Sequence, residues 1–212
     1  MLRQQRRTPE FQSGDKRAYF GILPPSVSDD GTSARSVHSY RDDFFALRGL
    51  TDAIEIARAL SRPEEATLVA IRDEFRRDLY ASIQFAMAQH RIDFLPATAD
   101  LADFDPVSTM VAVVPAGEPG LMPETVARAL ERTLERYWSD FSARRDGSKP
   151  TDSYSSSELR AIGTMVRLDQ RDRAVAVCLA YLKHVGIDWS AHPDDDEVHC
   201  QYQQIWSRLG ER

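Results

Sequence analysis

The chain has 212 residues, 42% of them hydrophobic, enough to bury a substantial core and too apolar for a disordered tail. Its 27 basic and 33 acidic residues are interspersed and leave a net charge of −6, so no polyanion-binding face stands out and nucleic acid is not an expected partner. No apolar run approaches the roughly 20 residues that cross a bilayer, and the opening MLRQQRRTPEFQSGDKR lacks a signal peptide's apolar centre, so neither a membrane span nor an export signal is expected.

Apolar residues recur at helical spacing in six segments, while strand-like alternation is nearly absent, which predicts an all-α chain. After an irregular lead-in over 1–36, the first helix is expected from Asp42 to Leu60, with Phe44, Leu47, Leu50, Ile54 and Ala57 on its buried face. Pro63 suits a first helical position, and Glu64 and Glu65 complement the positive end of the helix dipole, so a second helix starts there. Its stripe is Leu68, Ile71, Phe75, Leu79, Ile83 and Met87; the charged run RDEFRRD reads as solvated outer surface, and the two helices form a hairpin.

Asp105 followed by Pro106 marks a capped, proline-initiated short helix over PVSTMVAVV that stops near Pro115. Pro123 and Glu124 open a longer helix carrying Val126, Leu130, Leu134, Trp138 and Phe141, which ends at RRDG. A third hairpin follows from SSSELRAIGTMVRL and RDRAVAVCLAYLKHVG, with Leu159, Ile162, Val166, Val175, Cys178, Leu182 and Val185 as its apolar positions. The hairpins have no fixed period, which argues against a simple solenoid. A divergent C-terminal helix is expected over 190–212, with Val198, Tyr202, Ile205 and Leu209 behind an acidic first turn.

Polar residues cluster before the first helix of each pair, in HSYRDD, DLADFDP and TDSYSSSE. In a ring of hairpins these three helix N-termini share one rim, where Tyr40, Phe104, Tyr154 and Trp189 offer stacking surfaces to a polar ligand such as a sugar. Asp103 and Asp105 read as N-caps, and Glu158, three residues after Ser155, as half of a capping box, with sugar contact the alternative in each case. Trp138 and Trp206 read as core residues. Cys178 and Cys200 are too few for a disulfide framework, and Cys178 reads as a buried free thiol. The cluster His192, Asp194, Asp195, Asp196, Glu197, His199 and Cys200 fits no zinc or calcium spacing, so no metal is expected.

The segments YFGILPPSVSDDG, VHSYRDDFFALRGLTDAIEIA, DEFRRDLYASI, ADFDPVSTM, RYWSDFSARRDG and SYSSSELRAIGTMVRL, in this order, resemble the catalytic region of a large bacterial family of six-hairpin glycosidase-like proteins, often joined to sugar-binding β-sandwich modules. The likeness runs from about Arg17 to Leu182. It implies an (α/α)6 toroid of which the three hairpins are half, within a single partial domain over 1–212, and an active site at the inner helix ends.

Glucoamylase-like relatives in the wider clan carry a tryptophan followed by two acids at the start of an inner helix, the first acid being the proton donor to the glycosidic oxygen. Arg41, Asp42 and Asp43 match that place. The resemblance therefore implies Asp42 as the catalytic acid of an inverting glycoside hydrolase, and Asp43 as a sugar-hydroxyl ligand or second acid. It implies His38, Tyr40, Arg41, Asp103, Asp105, Glu158 and Trp189 as substrate contacts, an oligo- or polysaccharide partner, no cofactor, and a secreted or periplasmic setting.

Two departures stand out. Arg41 occupies the tryptophan's place, and the later hairpins that would carry the base do not precede DDDEVHCQYQQIWSRLGER, so both ends read as cut. An open half-ring exposes apolar edges suited to self-association. The alternative function is a non-catalytic helical protein that binds a glycan or another protein.

Overall fold

The structure, a computed structural model, describes residues 2–27, 36–149 and 159–184. It is mostly helical, with α1 over Tyr40–Ala59, α2 over Glu65–His90, α3 over Pro106–Thr109, α4 over Glu124–Arg145, α5 over Leu159–Arg167 and α6 over Arg171–His184. Among the described residues there is no strand, only two isolated antiparallel bridges, Ser26 with Val37 and Ser39 with Thr98. No described helix is long and apolar enough to cross a membrane.

The predicted starts and stops fall close to the observed ones because they rest on local chemistry. Ser39 caps α1 by accepting the Asp42 N–H at 3.4 Å, which starts the helix two residues before the expected Asp42. Asp105 caps α3 by accepting the Ser108 N–H at 3.1 Å, as expected. Arg144 and Arg145 close α4 at its negative end.

α1 and α2 lie against each other as a hairpin, and α5 and α6 form another. Phe44, Leu47 and Ile54 of α1 and Phe75, Leu79 and Ile83 of α2 are fully buried, and each such side chain contributes roughly 1.5–3 kcal/mol by leaving water. Leu50 and Leu68 are half-buried, and Ile71, expected on the buried stripe, is exposed.

The segment after α3 tightens into a 3-10 turn at Met110–Ala112, and Met110, Val111, Ala112 and Val113 are all buried. This apolar plug sits against α1, α3 and α5. Buried Glu118 holds the segment beyond the plug to α2, accepting from Nε and Nη2 of Arg76, each at 2.9 Å, and from the Tyr80 hydroxyl at 2.6 Å.

The charged face of α2 is not the solvated surface that RDEFRRD predicts. The lead-in forms 3-10 turns at Leu2–Arg6, Pro9–Phe11 and Gly14–Tyr19, and its arginines lie on that face. Arg3 reaches Asp78 at 2.7 Å, Glu74 at 3.3 Å and the Gly21 carbonyl at 2.7 Å, while Arg7 also pairs with Asp78 and Glu74. Gly21 has φ +73°, and a Cβ there would collide with the Asp78 carboxylate, so two constraints require glycine.

Trp138 is half-buried, with its ring 5.4 Å from that of Phe141 and Arg173 5.1 Å above it. Cys178 is a free thiol, half-buried rather than fully buried, and burial pushes its pKa up. The expected helix over 190–212, Cys200, Trp206 and the His192–Cys200 cluster lie outside the described residues. Among the described residues, no three histidine, cysteine or carboxylate side chains gather as a metal centre would need.

Candidate functional site

The polar segments before α1 and α3 meet. The bridge of Ser39 to Thr98 joins them, and the Tyr40 N–H donates to the Ala97 carbonyl at 3.0 Å while the Ala99 N–H donates to the His38 carbonyl at 3.0 Å. A cleft of about 50 Å³ opens between them, lined by Ser26, Ser39, Arg41, Asp103, Asp105 and Ser108 among others. It has room for a few water-sized or hydroxyl-sized groups.

The first turn of α5 stands at the same rim. Arg160 donates to the Val107 carbonyl at 3.1 Å, and its guanidinium pKa is pushed down by burial and by Arg41, with Asp105 opposing. Arg160 thus stands beside the segments that lead into α1 and α3, while the polar stretch TDSYSSSE before α5 lies outside the described residues.

The two adjacent aspartates of α1 part company, because successive helical residues are about 100° apart around the axis. Asp42 is half-buried, and its Oδ2 accepts the Ser26 hydroxyl at 2.5 Å. Its Oδ1 accepts no hydrogen bond from the described residues. Asp43 is fully buried: Oδ1 accepts the Leu23 N–H at 2.9 Å, and Oδ2 has no partner among the described residues. Burial drives the Asp43 carboxyl well above the usual carboxylate range, against the Leu23 N–H and with the help of the Asp42 charge. In this arrangement Asp43 is withdrawn from any ligand, which corrects its reading as a sugar contact.

Tyr40 is corrected in the same way. Its ring is fully buried and its hydroxyl meets Ser82 at 2.9 Å, so it offers no stacking face. Phe104 is already engaged, edge-on to Phe94 at 5.2 Å and beneath Arg136 at 4.6 Å. Asp103 does not cap a helix; it accepts the Thr98 hydroxyl at 2.6 Å and braces the turn.

His38 is buried and faces inward, between three groups. Its Nδ1 lies 3.2 Å from both Asp100 carboxylate oxygens, its ring stacks on Tyr19 at 4.1 Å, and its Nε2 accepts Arg6 Nε at 3.2 Å. An arginine can only donate, so Nε2 is the acceptor and Nδ1 carries the proton. Its backbone N–H adds a bond to Asp100 at 2.6 Å. Burial works to raise the Asp100 pKa, but the hydrogen bonds from His38 and Tyr19 outweigh it and hold the carboxyl below its ordinary value. His38 is thus a brace between the lead-in and the rim, not a ligand-facing group. Glu158, Trp189 and Tyr154 lie outside the described residues.

Sequence reasoning missed Ser26, Arg6, Asp100 and Arg160. The spacing Ser39-x-x-Asp42 was a visible capping signal, but Ser26 lies 16 residues from Asp42 and no periodicity links them. A larger cleft, about 420 Å³, lies elsewhere, along Asp73, Arg76, Arg77, Tyr80 and Gln84 of α2. Arg76 and Tyr80 there are committed to Glu118, so size alone does not make it the better site.

The chain matches no protein-family model, no curated protein and no solved structure.

Proposed function

We propose that the chain is a glycan-binding helical-hairpin protein of the six-hairpin glycosidase type, part of an (α/α)6 toroid, with Asp42 in the place of that clan's proton donor. The observation that carries this reading is a polar rim in which Arg41, Asp105 and Ser108 line the cleft together with Ser26, whose hydroxyl Asp42 accepts, with Arg160 near Arg41 and Asp105 and Asp43 buried away from it. The cleft takes hydroxyl-sized groups, so a sugar engages the rim by its edge and not by burying a whole ring. Asp103 and Asp105, the carboxylates that line the cleft, already accept hydrogen bonds from Thr98 and Ser108, so activating a water there would compete with those bonds. Binding is therefore the proposed function, and turnover an additional outcome of its test.

Calorimetric titration with neutral and acidic oligosaccharides tests the reading. One glycan class binds the chain, and Asp42→Asn weakens it roughly tenfold, the size of one charge-assisted hydrogen bond. If no oligosaccharide binds, the proposal falls; reducing ends released by the chain but not by Asp42→Asn would extend it to hydrolysis.

A second reading, self-association through an open edge, has its own support. Phe45 and Ile56 of α1 and the C-cap residue Leu60 fall on one side of the helix and are 41%, 60% and 66% exposed. Sedimentation then shows a dimer that Ile56→Glu dissociates; a wild-type chain that is monomeric at tens of micromolar would exclude it.

A further inference from the structure

The geometry points to Ser26 as the positioning residue of Asp42: its hydroxyl holds one carboxyl oxygen and so fixes which oxygen is left for a ligand. This rests on the reading of Asp42 as the ligand-facing acid of the rim.

Ser26 is held from both sides. Its N–H donates to the Val37 carbonyl at 2.9 Å and its carbonyl accepts the Val37 N–H at 3.0 Å, so the direction of its side chain is set by backbone bonds. Three residues earlier, the Leu23 N–H is anchored on Asp43 at 2.9 Å. The neighbouring aspartates of α1 therefore grip the same extended segment at two points, one through its backbone and the other through a hydroxyl. The Asp43 contact is buried; the Ser26 contact, 2.5 Å long, lies beside the cleft that Ser26 itself lines.

A hydroxyl suits this task because it serves either charge state. It donates to an ionised carboxylate and, by rotating about its Cβ–Oγ bond, accepts from a protonated one. Asp42 thus keeps its orientation whether or not it carries a proton. Oδ2 is the restrained oxygen and Oδ1 the one left to a ligand.

The test compares Ser26→Thr with Ser26→Val. The two side chains have nearly the same shape, both favour the extended backbone that the Val37 bridge requires, and only threonine keeps the hydroxyl. The first readout needs no ligand: the 13Cγ resonance of Asp42 in aspartate-labelled protein, identified by its loss in Asp42→Asn. It moves in Ser26→Val and stays at the wild-type position in Ser26→Thr. Ser26→Ala gives the same displacement and carries the test if valine prevents folding.

The second readout is affinity for the oligosaccharide that the wild-type chain binds, weakened roughly tenfold in Ser26→Val and restored in Ser26→Thr. An unmoved resonance in both Ser26→Val and Ser26→Ala overturns the inference. So does wild-type affinity in Ser26→Val where Asp42→Asn binds weakly. If the wild-type chain binds no oligosaccharide, the glycan reading fails, and the resonance alone upholds or overturns the role of Ser26.

Discussion

Asp43 and Asp100 give the molecule two pH responses of opposite sign. The Asp43 carboxyl is raised in the folded state, so its contribution to stability is complete below the ordinary value of 3.8 and is lost as pH rises through the higher folded value. Asp43→Asn cannot ionise, and Tm measured against pH should lose the decline that wild type shows across that window. Asp100 is lowered in the folded state, so its contribution is complete above 3.8 and is lost as pH falls through its folded value. Asp100→Asn should flatten the acid limb of the same curve; an unchanged limb would mean that the His38 contact does not persist in solution. The sequence marked both acids of the RDD motif as functional, and helix geometry separates them: Asp43 stands four residues before Leu47 and so follows the buried face of Phe44 and Leu47, while Asp42 turns about 100° away from it.

The helices are the part of the fold most open to reading, because their caps and stripes are local. Pro106, Pro123 and the RRDG stop each mark a boundary within a turn or so of the observed one. What escaped the reading is the pairing of charged residues far apart in the chain. Arg3 meets Asp78 across 75 residues, and Arg76 meets Glu118 across 42, distances at which no pattern of period 3.6 carries information. The run RDEFRRD looked solvated because its partners were not adjacent.

Two substitutions test these contacts at the level of the elements they join. Glu118→Gln removes the charge opposite Arg76 and should lower stability by about 2 kcal/mol in chemical denaturation, because Arg76 is left partly buried without its carboxylate. Gly21→Ala should cost roughly 2 kcal/mol, since it combines a left-handed backbone with a collision against a carboxylate that two arginines hold in place. A Gly21→Ala protein as stable as wild type would show that Asp78 is free to move.

At the scale of the whole molecule, burial is uneven. α1 and α2 carry most of the large fully buried side chains, and the Met110–Val113 plug closes the space between helices. α6 buries only Ala174 and Val177 completely. Hydrogen exchange should therefore slow most strongly in the middle of α1 and α2 and least in α6, where opening exposes little apolar surface. Equal protection in α6 and α2 would contradict this gradient. The all-α class was legible because apolar periodicity is a property of each segment alone. The meeting of the segments before α1 and α3 was suggested by their polar composition, whereas the contact of Arg160 with Val107 arises only through packing.

The arginine lead-in also has a consequence for synthesis on the ribosome. Arg3 leaves the ribosome 75 residues ahead of Asp78, so it must travel without its counter-ion until most of α2 has been translated. During that interval Arg3 lacks its carboxylates, and Arg6 and Arg7 with their ring partners Phe11 and Phe20 form a short basic-aromatic stretch open to any acidic surface nearby. The lead-in is therefore made well before the residues that secure it, and a slow translation pause before Glu74 would lengthen its exposure.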